Sequence, residues 1–205
     1  MKIENTIITN WAKEFPGLTV INNFQAVSIC NPFVLVLGIF PDRKRKTYTP
    51  KLLLHNLCYG TAYLFGDMTL TDTRRFHMYY KYSDELSKYI DTIDFFKNNT
   101  PIPFSQDIYI EDLIAKLKKY CDTAYDYEKF TILRSLMHIA IWSGDDDIIR
   151  KMLVYLRNVT TLLPYSDWYK KITEGVKETQ VLRYNVKNSL DILGLNGLSA
   201  NHVYL

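Results

Sequence analysis

The sequence predicts an α+β fold: an N-terminal helix on a small, mostly antiparallel β-sheet, followed by a helical C-terminal half. Three observations predict it. Residues Leu18 to Leu57 are rich in short β-branched and aliphatic runs separated by turn residues. Beyond Tyr82 the apolar period changes from two to 3.6. A Ser143-Gly144-Asp145 joint between two apolar-striped segments marks an αα-hairpin. The chain divides softly into a sheet-containing part, 1–100, and a helical part, 101–205, expected to share one core.

The first helix is predicted over Lys2 to Phe15, where Ile3, Ile7, Trp11 and Phe15 recur every four residues. Pro16-Gly17 ends it. Leu18 to Ile21 and Ala26 to Cys30 read as strands parted by an Asn22-Asn23 turn. Phe33 to Phe40 is apolar at every position, so both faces should be covered and this strand should be central. Thr47 to Leu57 is the next strand, disturbed near Pro50, which cannot donate to a ladder. Arg74 to Tyr79 is a candidate edge strand.

Ser83 is expected to cap a helix carrying Leu86, Tyr89, Ile90, Ile93 and Phe96 inward. The breaker cluster Asn98 to Pro103 follows. Asp107 is expected to cap a helix whose inner face is Ile110, Leu113, Ile114 and Leu117. Tyr127 to Trp142 and Asp146 to Arg157 form the αα-hairpin, with Gly144 stopping the first helix and Asp145 capping the second. A long final helix is predicted from Ser166 to about Leu193, ended by Gly194 and Gly197. The tail after Ser199 carries no strong signal.

Composition limits the function. The 205 residues are 47% hydrophobic and 23% charged, which excludes a disordered chain. The net charge of +3 is too mild to imply nucleic acid by itself. Three widely spaced cysteines, Cys30, Cys58 and Cys121, match neither a disulfide set nor a zinc knuckle, and buried thiols are expected. The longest apolar run has eight residues, far short of the roughly 20 needed to span a bilayer. No secretory leader pattern opens the chain. A cytoplasmic setting without membrane, metal or cofactor is expected. The 16 tyrosines belong to a wider bias: 75 of the 205 residues are Ile, Lys, Asn, Tyr or Phe, all with AT-rich codons. That bias suits a gene on an AT-rich mobile island, a common setting for toxin-neutralising proteins.

Several clusters invite chemistry. Arg43-Lys44-Arg45-Lys46 should form a hairpin tip, read first as a solvated turn that keeps apolar strands from aggregating. Its alternative role is a grip on phosphates or on an acidic protein face. Asp145-Asp146-Asp147 reads as a helix cap rather than a cation site. His55 and Cys58 would point to opposite faces of a strand, against a nucleophilic pair, whereas on a helical turn they could meet. His77 with Arg74 and Arg75 has the residue types for phosphodiester cleavage, and His55 is its candidate partner. His138 lies inside an apolar helix and is expected to be a hydrogen-bonded core histidine. No catalytic residue is assigned. Two tyrosine-dense junctions remain as candidate partner contacts: Tyr79, Tyr80 and Tyr82, and the Tyr120, Asp122, Tyr125, Asp126, Tyr127 stretch, whose acids suit a basic partner. The leading expectation is a non-enzymatic protein-binding module, of the kind that neutralises a toxin. The alternative is an RNA- or DNA-binding or nucleic-acid-cleaving protein using loop 43–46 with Arg74, Arg75 and His77.

Overall fold

The computed structural model describes residues 3–60, 62–64, 67–70, 79–161, 167–175 and 177–205. It confirms the α+β class, with an N-terminal helix, a mostly antiparallel sheet and a helical C-terminal half. The chain separates into two compact units. Unit 1 holds Met1–His55, Leu64–Asp107 and Leu198–His202; unit 2 holds Asn56–Tyr63, Ile108–Gly197 and Val203–Leu205.

Unit 1 is built on the sheet. Its strands are β1 (Thr19–Asn22), β2 (Gln25–Cys30), β3 (Phe33–Asp42), β4 (Thr47–Asn56), β5 (Met68–Thr69), β6 (Tyr80–Lys81) and, from the end of the chain, β8 (Ala200–Asn201). The order β1-β2-β3-β4-β5 puts β3 in the middle. Phe33 through Ile39 are all buried, as an unbroken apolar run requires. β2 and β3 pair antiparallel from Gln25↔Gly38 to Cys30↔Phe33. Helix α1 (Ile3–Lys13) packs on β1, β2 and β3 and buries Ile7, Ile8, Trp11 and Ala12, with Phe15 beyond its end also buried.

The turn after α1 needs Gly17. Its φ is +85°, and a Cβ there would stand 2.3 Å from the Phe104 carbonyl oxygen. Pro50 sits between two separate pairings of β4, with β6 at Thr47 and Tyr48 and with β5 at Leu53 and Leu54. The interruption falls where proline has no N–H to give. β8 pairs parallel with β2, and Asn201 Nδ2 reaches Ser28 Oγ at 3.4 Å and the Phe104 carbonyl at 3.3 Å.

Two expected caps are not used as such. Ser83 opens no helix; a 3-10 turn, Leu86–Tyr89, precedes α2 (Ile90–Asn99). Asp84 takes the local role, accepting from the Lys81 N–H at 2.8 Å and from Lys88 Nζ at 2.9 Å. A carboxylate that bonds backwards in this way competes with helix initiation. Asp107 accepts instead from the His202 N–H at 2.8 Å. Two residues of strand, β7 (Ile108–Tyr109), separate it from α3 (Ile110–Thr123). Arg74 to Met78 of the candidate edge strand lie outside the described residues.

Unit 2 is helical. α4 (Asp126–Ser143) packs against α3, α5 (Asp146–Thr161), α6 (Trp168–Glu174) and α7 (Thr179–Ile192). That position explains its burial beyond the expected stripe, with Ile132, Ser135, His138 and Ile139 also inside. The α4–α5 hairpin forms as expected. Gly144 adopts φ 75°, and Asp145 Oδ1 accepts from the Asp147 and Ile148 N–H groups at 2.8 and 3.1 Å. β7 pairs parallel with β9 (Val203–Tyr204).

The final helical stretch is divided, where one helix from Ser166 to Leu193 was expected. α6 ends at Gly175, and α7 restarts after an extended Glu178. Glycine inside a helix costs about 1 kcal/mol relative to alanine, and the apolar spacing across Val176 conceals the break.

α7 closes the C-terminus of α4. Arg183 donates from Nε to the Trp142 carbonyl at 3.0 Å and from Nη2 to the Ser143 carbonyl at 2.7 Å. Thr179 Oγ1 donates to the Ile141 carbonyl at 2.9 Å. The Ile141 carbonyl also accepts from the Gly144 N–H at 3.0 Å, and a cation beside the Trp142 and Ser143 carbonyls meets the negative end of the helix dipole. Arg183→Ala should therefore destabilise unit 2 by about 1–2 kcal/mol. Lys187→Ala, an exposed neighbour, should stay within about 0.5 kcal/mol. Urea unfolding followed by far-UV circular dichroism makes the comparison.

Candidate functional site

The residues singled out in the sequence fall into distinct settings. Strand alternation governs the first tyrosine junction, in unit 1. Tyr79 points outward and is exposed, whereas Tyr80 and Tyr82 are half-buried. Tyr80 and Tyr82 pack on Tyr48, with ring centroids 5.8 and 6.1 Å away. Tyr89 meets Tyr80 edge-on at 4.6 Å and stacks on Trp11 at 5.1 Å. Trp11 Nε1 donates to the Tyr48 hydroxyl at 3.1 Å, and the Tyr80 hydroxyl bonds Thr92 Oγ1. Burial holds the Tyr48 and Tyr80 hydroxyls above the usual phenol range. This cluster welds α1 to the sheet and to α2, and Tyr79 alone of the three is mostly outward.

The second junction, in unit 2, is mostly helix. The connection between α3 and α4 is only Ala124–Tyr125. Tyr125, Asp122 and Asp126 are exposed, and Tyr120 is half-buried. Asp126 Oδ1 pairs with Lys129 Nζ at 3.0 Å, and the Tyr125 N–H donates to Glu128 Oε2 at 3.4 Å. Asp126 and Glu128 serve the first turn of α4, while Asp122 stands at the end of α3. Tyr127 is the second residue of α4; its side chain lies outside the described residues.

Arg43, Lys44, Arg45 and Lys46 are exposed and join β3 to β4 in a tight hairpin. Asp42 shapes the loop, its Oδ1 accepting from the Lys44 and Arg45 N–H groups at 3.1 Å each. Lys46 sits at φ 54°. Arg74, Arg75 and His77 lie outside the described residues.

His55, His138 and the three cysteines are interior, His202 is exposed, and His77 lies outside the described residues. His55, buried on β4, has Nδ1 3.3 Å from Asp67 Oδ2. His138 is a buried, hydrogen-bonded histidine in unit 2: Asn56 Nδ2 lies 3.3 Å from its Nδ1 and donates to Ser135 Oγ at 3.1 Å. Asn56 Oδ1 accepts from the Cys58 N–H at 3.0 Å, capping the 3-10 turn Leu57–Tyr59. Among the described residues, no group of three or more His, Cys, Asp or Glu is arranged to hold a metal ion. No helix among them is long and apolar enough to cross a membrane.

One surface was not anticipated. Along α7, Leu182, Val186 and Ser189 are buried, while Val181, Tyr184 and Ile192 are 39%, 66% and 54% exposed. At 100° per residue these three lie on one flank, spread over about 16 Å of helix. The available signal was three apolar residues off the main stripe. A smaller exposed pair sits on the β7–β9 ribbon, where the Tyr109 and Tyr204 rings lie 5.5 Å apart.

Compared with known proteins, the chain matches no family model, no curated protein sequence and no solved structure.

The thiols supply a direct check on this geometry. Burial pushes Cys30 up to about 12, with Asp107 adding to it, Cys58 up to about 12, and Cys121 up to about 11. At pH 8 a thiol at 12 is ionised in roughly one molecule in ten thousand. The native protein should therefore react with Ellman's reagent far more slowly than the denatured chain, which should release three equivalents. Because the folded state holds these thiols neutral, stability should fall as pH rises from about 9 toward 12. Fast reaction of any of them in the native state would contradict this burial.

Proposed function

We propose that this chain is a non-enzymatic, cytoplasmic protein-binding module, and that the outer flank of α7 is its principal contact surface. The observation that carries the reading is the exposure of Val181, Tyr184 and Ile192 together on one flank of a helix whose other side is anchored. An ordered apolar flank that includes a tyrosine has the composition of an interface centre. The helix anchoring supports it too, because a rigid surface loses little entropy on binding. Tyr125, Asp122 and Asp126, exposed on the same unit, are the second candidate contact, and their charge suits a basic partner. Tyr79 is the corresponding candidate on unit 1.

Three buried cysteines that remain free thiols fit a reducing compartment. Neutralisation of a toxin is the narrower form of the reading. Its support is the AT-rich residue bias of the sequence together with an exposed contact surface.

The test pairs affinity purification from the native host with purified components. Tyr184→Ser combined with Ile192→Ser should leave the circular dichroism spectrum and Tm unchanged. It should weaken binding to the captured partner, or to the product of an adjacent gene, by about tenfold or more. Equal binding of the wild type and the variant by every purified candidate would overturn the reading.

A further inference from the structure

We propose that the depression beside the β3–β4 hairpin of unit 1 binds single-stranded nucleic acid. The depression, about 700 Å³, is lined by Phe24, Pro41, Asp42, Arg43 and Lys44. Phe24 and Pro41 give it an apolar platform, and Arg43 and Lys44 give it a cationic rim. Arg45 and Lys46 extend that rim along the loop. Between Pro41 and Lys51 the chain carries five cations and one acid.

The site is held in place by its backbone. The Phe24 N–H donates to Asn22 Oδ1 at 2.9 Å, and the Phe24 carbonyl accepts from the Ile39 N–H at 2.8 Å. The one acid in the lining is engaged within the loop. Asp42 Oδ1 accepts from two backbone N–H groups, and Oδ2 lies 3.6 Å from Arg45 Nε. Among the described residues no ion pair forms with Arg43, Lys44 or Lys46, so their charge is available to a ligand.

The chemistry favours a strand of nucleotides over an acidic protein face. Each nucleotide presents a flat base and, one step along, a phosphate. Base-on-aromatic stacking beside backbone neutralisation is the general basis of sequence-tolerant single-strand binding. The depression offers both within one lining. Phe40, one residue before Pro41, belongs to the other face of β3, where it carries the Lys51 ammonium 5.0 Å over its ring, so the platform of the depression is Phe24 with Pro41. An acidic peptide would use the cations and leave the Phe24 ring unused.

The test is fluorescence anisotropy with a labelled oligothymidylate, a duplex of the same length and a polyglutamate peptide. The oligothymidylate should bind more tightly than either of the others. Its affinity should fall between about 50 and about 200 mM salt. Arg43→Gln with Lys44→Gln and Arg45→Gln, leaving Lys46 with its positive φ, should reduce the log–log salt slope by about 2. Phe24→Ala should weaken binding about tenfold, and Phe24→Leu, which keeps apolar bulk in case the alanine variant misfolds, should also weaken it. The α7 double variant should bind the oligonucleotide as the wild type does, which separates this site from the protein contact. No binding at low salt overturns the proposal, as does an unchanged triple variant. Polyglutamate binding as tight as the oligonucleotide's would assign the loop to acidic proteins instead. Duplex binding as tight as single-strand binding, with no effect at Phe24, would reduce the site to charge alone.

Discussion

The surface assigned to α7 depends on how that helix is clamped. Five hydrogen bonds run from its side chains to backbone carbonyls of unit 2. Thr179 and Arg183 take the carbonyls at the end of α4, and Asn185 and Ser189 take those of Cys58 and Leu57 in the 3-10 turn. All of these acceptors lie at element ends, and those of Ile141 and Leu57 accept in addition from the Gly144 and Gly60 N–H groups. The clamp fixes the rotation of α7 about its axis. Once Thr179, Leu182, Arg183, Val186 and Ser189 face inward or toward α4, Val181, Tyr184 and Ile192 have no remaining direction but outward. The exposed flank is thus a consequence of polar anchoring, with the apolar stripe contributing only part of the orientation.

The same reasoning separates the tyrosines by role. In unit 1 the ring cluster around Tyr48 uses Tyr80, Tyr82 and Tyr89 to join the sheet with α1 and α2. Those rings belong to the fold's cohesion, and Tyr79 remains on the outer face. In unit 2, Tyr125 and Tyr184 stand exposed on a helical scaffold. An excess of tyrosine therefore carries no single meaning along this chain. Each residue's setting follows from the parity of its strand position or the angle of its helix position.

What could be read from the sequence follows the range of the forces involved. β3 was legible because seven buried residues in a row leave no polar face to interpret. The α4–α5 hairpin was legible because Gly144 and Asp145 act on their nearest neighbours. Ser83 was misread because the neighbouring Asp84 bonds back to the Lys81 N–H, and Asp107 because its carboxylate reaches the backbone of His202. The break at Gly175 was hidden by apolar spacing that continues in phase across it. β8 and β9, two residues each, are held by long-range pairing and by Asn201, and such short strands leave almost no local trace. The outer flank of α7 was visible as off-stripe apolar residues, but which flank faces solvent is decided by α4 and the 3-10 turn.

The most direct measurement is hydroxyl-radical footprinting of the protein alone and bound to its purified partner, read residue by residue. The account predicts strong protection of Tyr184 and Ile192 on binding, with Tyr63, exposed elsewhere on unit 2, modified at an unchanged rate. Unchanged modification of Tyr184 and Ile192 in the complex, with protection confined to other surfaces, would contradict it.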